Sequence, residues 1–145
     1  MRIHTRLPVV LPERIDAGFL QWLRALPWPV AVVVHANHAN EFDAHVDAAL
    51  AALRDAGAAL LNQAVLLRGV NDSVDALAAL SERGYAAGVL PYYLHQLDRV
   101  TGTAHFEVDD ARARALHEGL AARVSGYLVP RLVREVAGDP GKRPL

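Results

Sequence analysis

The chain has 145 residues, of which 52% are hydrophobic, and 15 basic against 16 acidic side chains give a formal net charge of −1. That length and apolar content suit one packed domain rather than a disordered chain, and a near-neutral charge with no basic block gives no phosphate-neutralising footprint for nucleic acid. The chain has no cysteine, which excludes disulfides, thiolate zinc sites and a self-supplied iron–sulfur cluster; its apolar runs are far too short to span a bilayer and its start lacks a signal-peptide core, so a cytoplasmic location is expected.

Short β-branched runs alternate with amphipathic helical patterns, the arrangement that builds parallel strands joined by crossover helices. Strands are expected to begin near Ile3, Val30, Ala59 and Ala87, at a spacing of roughly thirty residues that corresponds to one strand-helix unit. Residues 16–26 predict a first helix, with Phe19, Leu20, Leu23 and Leu26 on one face and Pro27 as its stop. Residues 41–56 predict a second, with Phe42, Val46, Ala49, Leu50 and Leu53 along one stripe, Asn40 as N-cap and Gly57 just past its end. A third is expected over 73–83, ended by Gly84 and burying Val74, Leu77 and Leu80, and a fourth over 109–123. Residues 127–136 read as another strand, placed at an edge by Pro130, and 138–145 read as loop. The expected fold class is α/β, with four or five βα units of parallel strands. These form either a partial barrel or a small doubly wound domain, and spacing alone does not choose between them.

In βα architectures reactive groups collect at the carboxyl ends of strands. Three polar blocks sit there: His35-Ala36-Asn37-His38-Ala39-Asn40-Glu41, then Asn62-Gln63 with Arg68-Gly69-Val70-Asn71-Asp72, then Tyr92-Tyr93-Leu94-His95-Gln96-Leu97-Asp98. His35 and His38 read equally well as loop histidines satisfying backbone groups, and the tyrosines as rim or core aromatics. His35, His38, Glu41, His95 and Asp98 also offer nitrogen and oxygen donors for a hydrolytic metal, at a spacing that matches no standard helical ligand pair.

Lys142 is the only lysine among the 15 basic residues. Arginine serves wherever charge alone is needed, so a single lysine beside Gly138-Asp139-Pro140-Gly141 points to a need for a primary amine. Unlike a guanidinium, an amine can lose its proton and attack an aldehyde. The plain alternative is a solvated lysine near a chain end.

The order of these motifs resembles the lysine 2,3-aminomutase family of radical S-adenosylmethionine enzymes. The matching stretches are Arg2-Ile3-His4-Thr5-Arg6, the His35-to-Glu41 block, Asn62-Gln63 through Asn71-Asp72, Pro91-Tyr92-Tyr93, Ser125-Gly126-Tyr127 and Gly141-Lys142. The resemblance is greatest to the elongation factor P β-lysylation branch. It implies a partial βα barrel working with a 4Fe-4S cluster, S-adenosylmethionine and pyridoxal phosphate, and an isomerase that turns lysine into β-lysine, in this branch for elongation factor P. By position, Lys142 corresponds to the lysine that holds pyridoxal phosphate, within a segment formed by residues 124–145. Asp98 and Glu135 correspond to the carboxylates that grip the substrate's side-chain ammonium, and His35 and Gln63 to positions near S-adenosylmethionine. His95 stands where free-lysine enzymes tend to carry tyrosine, and Glu135 where they carry aspartate.

The family's CxxxCxxC motif and its substrate-carboxylate arginine have no counterpart in these 145 residues. The whole of 1–145 therefore reads as the carboxy-terminal part of such a barrel, inactive alone and needing an amino-terminal cysteine-bearing segment, with a homo-oligomer as a further partner. The chain stops three residues after Lys142, which favours the β-lysylation branch. Two other readings compete: a non-catalytic module that completes a barrel, and the metal-dependent hydrolase.

Overall fold

The computed structural model describes residues 1–97, 104–135 and 141–145. Its centre is a six-stranded sheet with the strands in chain order, β1 (Arg2–Thr5), β2 (Ala31–Val34), β3 (Ala59–Leu66), β4 (Leu90–Gln96), β5 (Arg131–Arg134) and β6 (Arg143–Pro144). The first four pairings after β1 are parallel, and β6 returns antiparallel to β5. A short helical turn, α1 (Leu7–Val10), and α2 (Ala17–Arg24) link β1 to β2. Helices α3 (Ala44–Asp55), α4 (Val74–Ala86) and α5 (Asp110–Arg123) make the next three crossovers. Crossovers of one hand between strands in sequential order put every helix on the same side of the sheet.

Side-chain alternation along β3 shows which side that is. Leu60, Asn62, Ala64 and Leu66 are buried, whereas Leu61, Gln63 and Val65 are only half-buried. The buried set packs with Val46, Leu50 and Leu53 of α3, Leu77 and Leu80 of α4, and Leu116 and Leu120 of α5 into one core. Among the described residues the other face carries no helix, yet Val33 on it is fully buried and lies outside that core. Curvature explains this. Burial first, then the charges of Arg2 and of Lys142 beside β6, lower the pKa of His4 on β1, although five strand spacings in a flat sheet would separate His4 from Lys142 by roughly 24 Å, beyond effective electrostatic reach in salt. The neighbouring Tyr93 first, and then the positive charge of Arg2 on β1, lower the pKa of Tyr92 on β4. The sheet is therefore an arc, and its helix-free face is the concave one.

Local chemistry sets the helix ends. Asp16, Asp43, Ser73 and Asp109 are N-caps whose side chains accept from backbone N–H groups of the first turn. Gly57 and Gly88 follow α3 and α4 with φ of 95° and 84°, where a Cβ would be strained.

Several expectations are corrected. The second helix starts after Asp43, because His38 caps a separate 3-10 turn at Ala39–Glu41. Gly84 lies inside α4 rather than ending it, because the helix runs on to Ala86 and the left-handed turn falls at Gly88, and β4 starts later than Ala87 in consequence. Pro130 precedes β5 instead of interrupting it, and β5 is no edge strand because β6 pairs with it. Residues 143–144, expected as loop, form that β6 strand.

Candidate functional site

Parity along the strands assembles one polar surface on the concave face. His4 pairs in register with Val33, Gln63 with Tyr93, Val65 with His95, and His95 with Val133. One further step beyond β2 places His35 beside Gln63, and one beyond β5 gives Glu135. A register shift between Asn62 and Gln63 adds a residue to β4, and such a bulge re-aims side chains. Here the two tyrosine rings meet at 3.9 Å between centroids, tilted by 39°, with the positive charges of Arg2 and Arg131 near them.

Lys142 reaches this surface through β6. The antiparallel pairs Val133 with Pro144 and Arg134 with Arg143 continue to Glu135 opposite Lys142. The Lys142 ammonium is paired with the Glu135 carboxylate. It also lies 3.1 Å from His95 Nε2 and 5.2 Å from the centroid of the Tyr93 ring. An ammonium has only hydrogens to give, so the His95 Nε2 accepts. Hydrogen bonding and charge from Lys142 hold the Glu135 carboxyl below its ordinary range. A cleft of about 350 Å³ opens beside the amine, lined by Tyr93, Arg131, Val133, Lys142 and Leu145 and also by Leu132 and His117 of α5 from the helix side, at the small end of the range for ligand sites.

His35 and His4 meet edge to face at 5.9 Å between ring centroids. Burial, followed by the charges of His4, Arg6 and Lys142, pushes the His35 pKa down, which favours its neutral form. His35 Nε2 and Gln63 Oε1 are buried without a hydrogen-bond partner among the described residues. Native structures leave few such groups, and two of them side by side on a face without a helix mark a place built to receive something polar.

The neighbouring loop residues act structurally. Asn62 and Asn71 clamp the His35-to-His38 turn: Asn62 bonds both backbone groups of Ala36, and Asn71 donates to the carbonyls of Asn37 and Val65 and accepts from Leu67 N–H. His38 Nδ1 accepts from Asn40 N–H, and Glu41 accepts from the N–H groups of Asn37 and His38. These roles pull His38 and Glu41 away from metal duty. Among the described residues, which leave out the candidate donor Asp98, no group of three His, Asp or Glu could hold a metal ion.

The arc thus brings Lys142, Glu135 and His95 into contact, and places His35 and Gln63 on the same face. Asp98 lies outside the described residues. Sequence reading missed His4 as a neighbour of His35 and Tyr93 as the ring under Lys142. The signal for His4 was its alternation with Ile3 on β1, which becomes informative only once the burial of Ile3 fixes the faces.

No family model matches the chain. It is 50% identical over all 145 residues to the L-lysine 2,3-aminomutase of Escherichia coli, and covers 42% of that protein. It is 46% identical over 142 residues to that of Haemophilus influenzae and 40% identical over 145 residues to that of Clostridium subterminale, covering 42% and 35% of them. A radical SAM methyltransferase from Sphaerobacter thermophilus superposes with a TM-score of 0.59 at 19% identity, over 92% of this chain and 40% of that one. This likeness shows the fold alone. Among the described residues no helix is long and apolar enough to cross a membrane. The chain spans less than half the length of the relatives it matches, and along its whole length it is similar to L-lysine 2,3-aminomutases.

Proposed function

We propose that the chain is the carboxy-terminal portion of a lysine 2,3-aminomutase that makes β-lysine, in a pathway ending on elongation factor P, and that residues 124–145 present Lys142 to pyridoxal phosphate. The observation that carries this reading is the convergence of the sole lysine with Glu135 and His95 on the concave face, in a chain alignable end to end with L-lysine 2,3-aminomutases.

The residues suit two of the three implied groups. A half-buried primary amine beside a cleft fits an aldehyde cofactor, and the orphaned polar atoms of His35 and Gln63 fit S-adenosylmethionine. When bound, pyridoxal phosphate supplies an electron-withdrawing ring that stabilises a reacting amino acid. The 4Fe-4S cluster does not fit, since the chain has no thiolate to ligate it, and no step is derived through it.

This chain's own contributions are binding and orientation. Lys142 offers its amine from an antiparallel strand pairing that fixes its direction. Glu135, together with Asp98, selects a substrate carrying a distal ammonium through charge-assisted hydrogen bonds. His95 accepts a hydrogen bond at the amine. His35 and Gln63 line the other side, and the curl of the sheet keeps water from its floor at Val33.

The outer edge of β1 pairs with nothing among the described residues, and Met1, Leu7, Val10, Leu11, Trp22 and Trp28 are exposed. An open edge beside apolar surface invites further strands, which supports an amino-terminal cysteine-bearing segment as its partner, an activity that needs both parts, and a second copy as the competing occupant. A barrel-completing module without catalysis would use the same edge.

One experiment separates the catalytic reading from that module. Folded chain and urea-unfolded chain are incubated with pyridoxal phosphate, reduced with borohydride, and the Lys142 peptide is weighed. Folded protein is expected to label at much lower cofactor concentration; equal labelling of the two would sink the cofactor assignment.

A further inference from the structure

Three acceptors of different kinds surround the Lys142 ammonium: the Glu135 carboxylate, the His95 imidazole at 3.1 Å and the Tyr93 ring face at 5.2 Å to its centroid. A carboxylate with a π-face is a general recipe for holding an alkylammonium. The Lys142 side chain is 23% exposed against 54% for Glu135, so the amine end sits inward of its partner. Its four-carbon stem and terminal amine are chemically identical to the side chain of a free lysine.

We propose that Glu135, His95 and Tyr93 form an alkylammonium subsite which Lys142 fills with its own side chain in the aldehyde-free protein, so that an aldehyde must attach to Lys142 before a ligand's ammonium can enter. The assignment of Glu135 to the substrate rests on the function proposed above; the self-occupancy is a separate claim. Attachment itself empties the subsite. One ammonium and one aldehyde give one protonated imine and one water: a C=N bond forms, the carbonyl C=O bond breaks, and two of the three ammonium hydrogens leave in the water. The nitrogen is then planar, has one N–H, and is tethered to the incoming carbon, so it no longer satisfies three acceptors at once.

The first test uses formaldehyde and cyanoborohydride on the full chain, with Nα-acetyl-lysine in the same tube as the reference amine. Because Lys142 is the sole lysine, mass mapping of one peptide reads its methylation directly. Glu135→Gln should raise the relative rate about threefold, within the range for a partly exposed ion pair, with a small drop in melting temperature; an unchanged rate would overturn the proposal. The second test titrates n-butylammonium by NMR. Lys142→Ala should bind it measurably more tightly than the parent chain, and adding Glu135→Gln should abolish the gain. Equal binding by the parent and Lys142→Ala would overturn self-occupancy. Neither readout involves pyridoxal phosphate, so failure of that cofactor to label Lys142 would reject the proposed function and leave these outcomes standing.

Discussion

Asn62 on β3 grips both backbone groups of Ala36, accepting from its N–H at 2.9 Å and donating to its carbonyl at 3.0 Å, across 26 residues of sequence. Both residues are buried, so this side chain replaces water for a turn that strand pairing no longer serves beyond Val34. Asn62→Ala would leave a buried donor and a buried acceptor unpaired, a loss of about 2–4 kcal/mol. Urea denaturation should show it as a lower midpoint with an unchanged slope. A loss below about 0.5 kcal/mol would mean that water fills the gap freely.

The concave histidines predict acid sensitivity. Burial first, then neighbouring positive charge, holds His35 and His4 below the ordinary histidine value of 6.5. As pH falls through 6.5 the unfolded chain therefore takes up protons before the folded one does. The resulting stability is complete above 6.5 and declines as pH drops towards the folded-state values. Glu135, held below 4.5 chiefly by Lys142, adds a contribution that is complete above 4.5 and is lost further into acid. Stability should fall as pH drops below 6.5, and His35→Gln should flatten that slope. A parent-like slope in His35→Gln would remove His35 from this account.

Gly119 in α5 sets two effects against each other. Alanine in a helix interior normally gains about 1 kcal/mol over glycine, yet a Cβ here would lie 2.7 Å from Cγ2 of Val74 on α4. Overpacking of that kind costs about 1–3 kcal/mol. Gly119→Ala should be net destabilising, whereas Gly119→Ala combined with Val74→Ala should recover the helix gain at Gly119. A double-mutant cycle by thermal melting reads the coupling.

Lys142→Arg separates charge from nucleophilicity. A guanidinium keeps the pairing with Glu135 but does not attack a carbonyl. The variant should melt within about 1 kcal/mol of the parent and take no label from pyridoxal phosphate and borohydride at residue 142. A marked loss of stability would show that the lysine is held there for packing.

Much of the fold was legible because it depends on local pattern. Apolar stripes at Val46, Leu50 and Leu53 and at Leu77 and Leu80 announced the helices, the side chains of Ser73 and Asp109 capped the helices they precede, and the β-branched run at 31–34 announced β2. Gly84 misled because a glycine is tolerated inside a helix as well as past its end, and here Gly88 takes the left-handed turn instead. The Asn40 cap failed in a similar way, with His38 and Asp43 each capping a separate turn.

The sequence by itself determined the chemistry available: a single amine at Lys142, no thiol, and polar blocks timed to the ends of apolar strands. Those facts depend on composition and short-range order, which survive without coordinates. Only the tertiary structure decided which of these groups meet. The curl that brings β1 within electrostatic reach of Lys142, the bulge that turns both tyrosines onto one face, and the antiparallel return that sets Lys142 against Glu135 are long-range. They follow from how a twisted sheet packs against helices on one side, a property of the whole arc that no single window of sequence encodes.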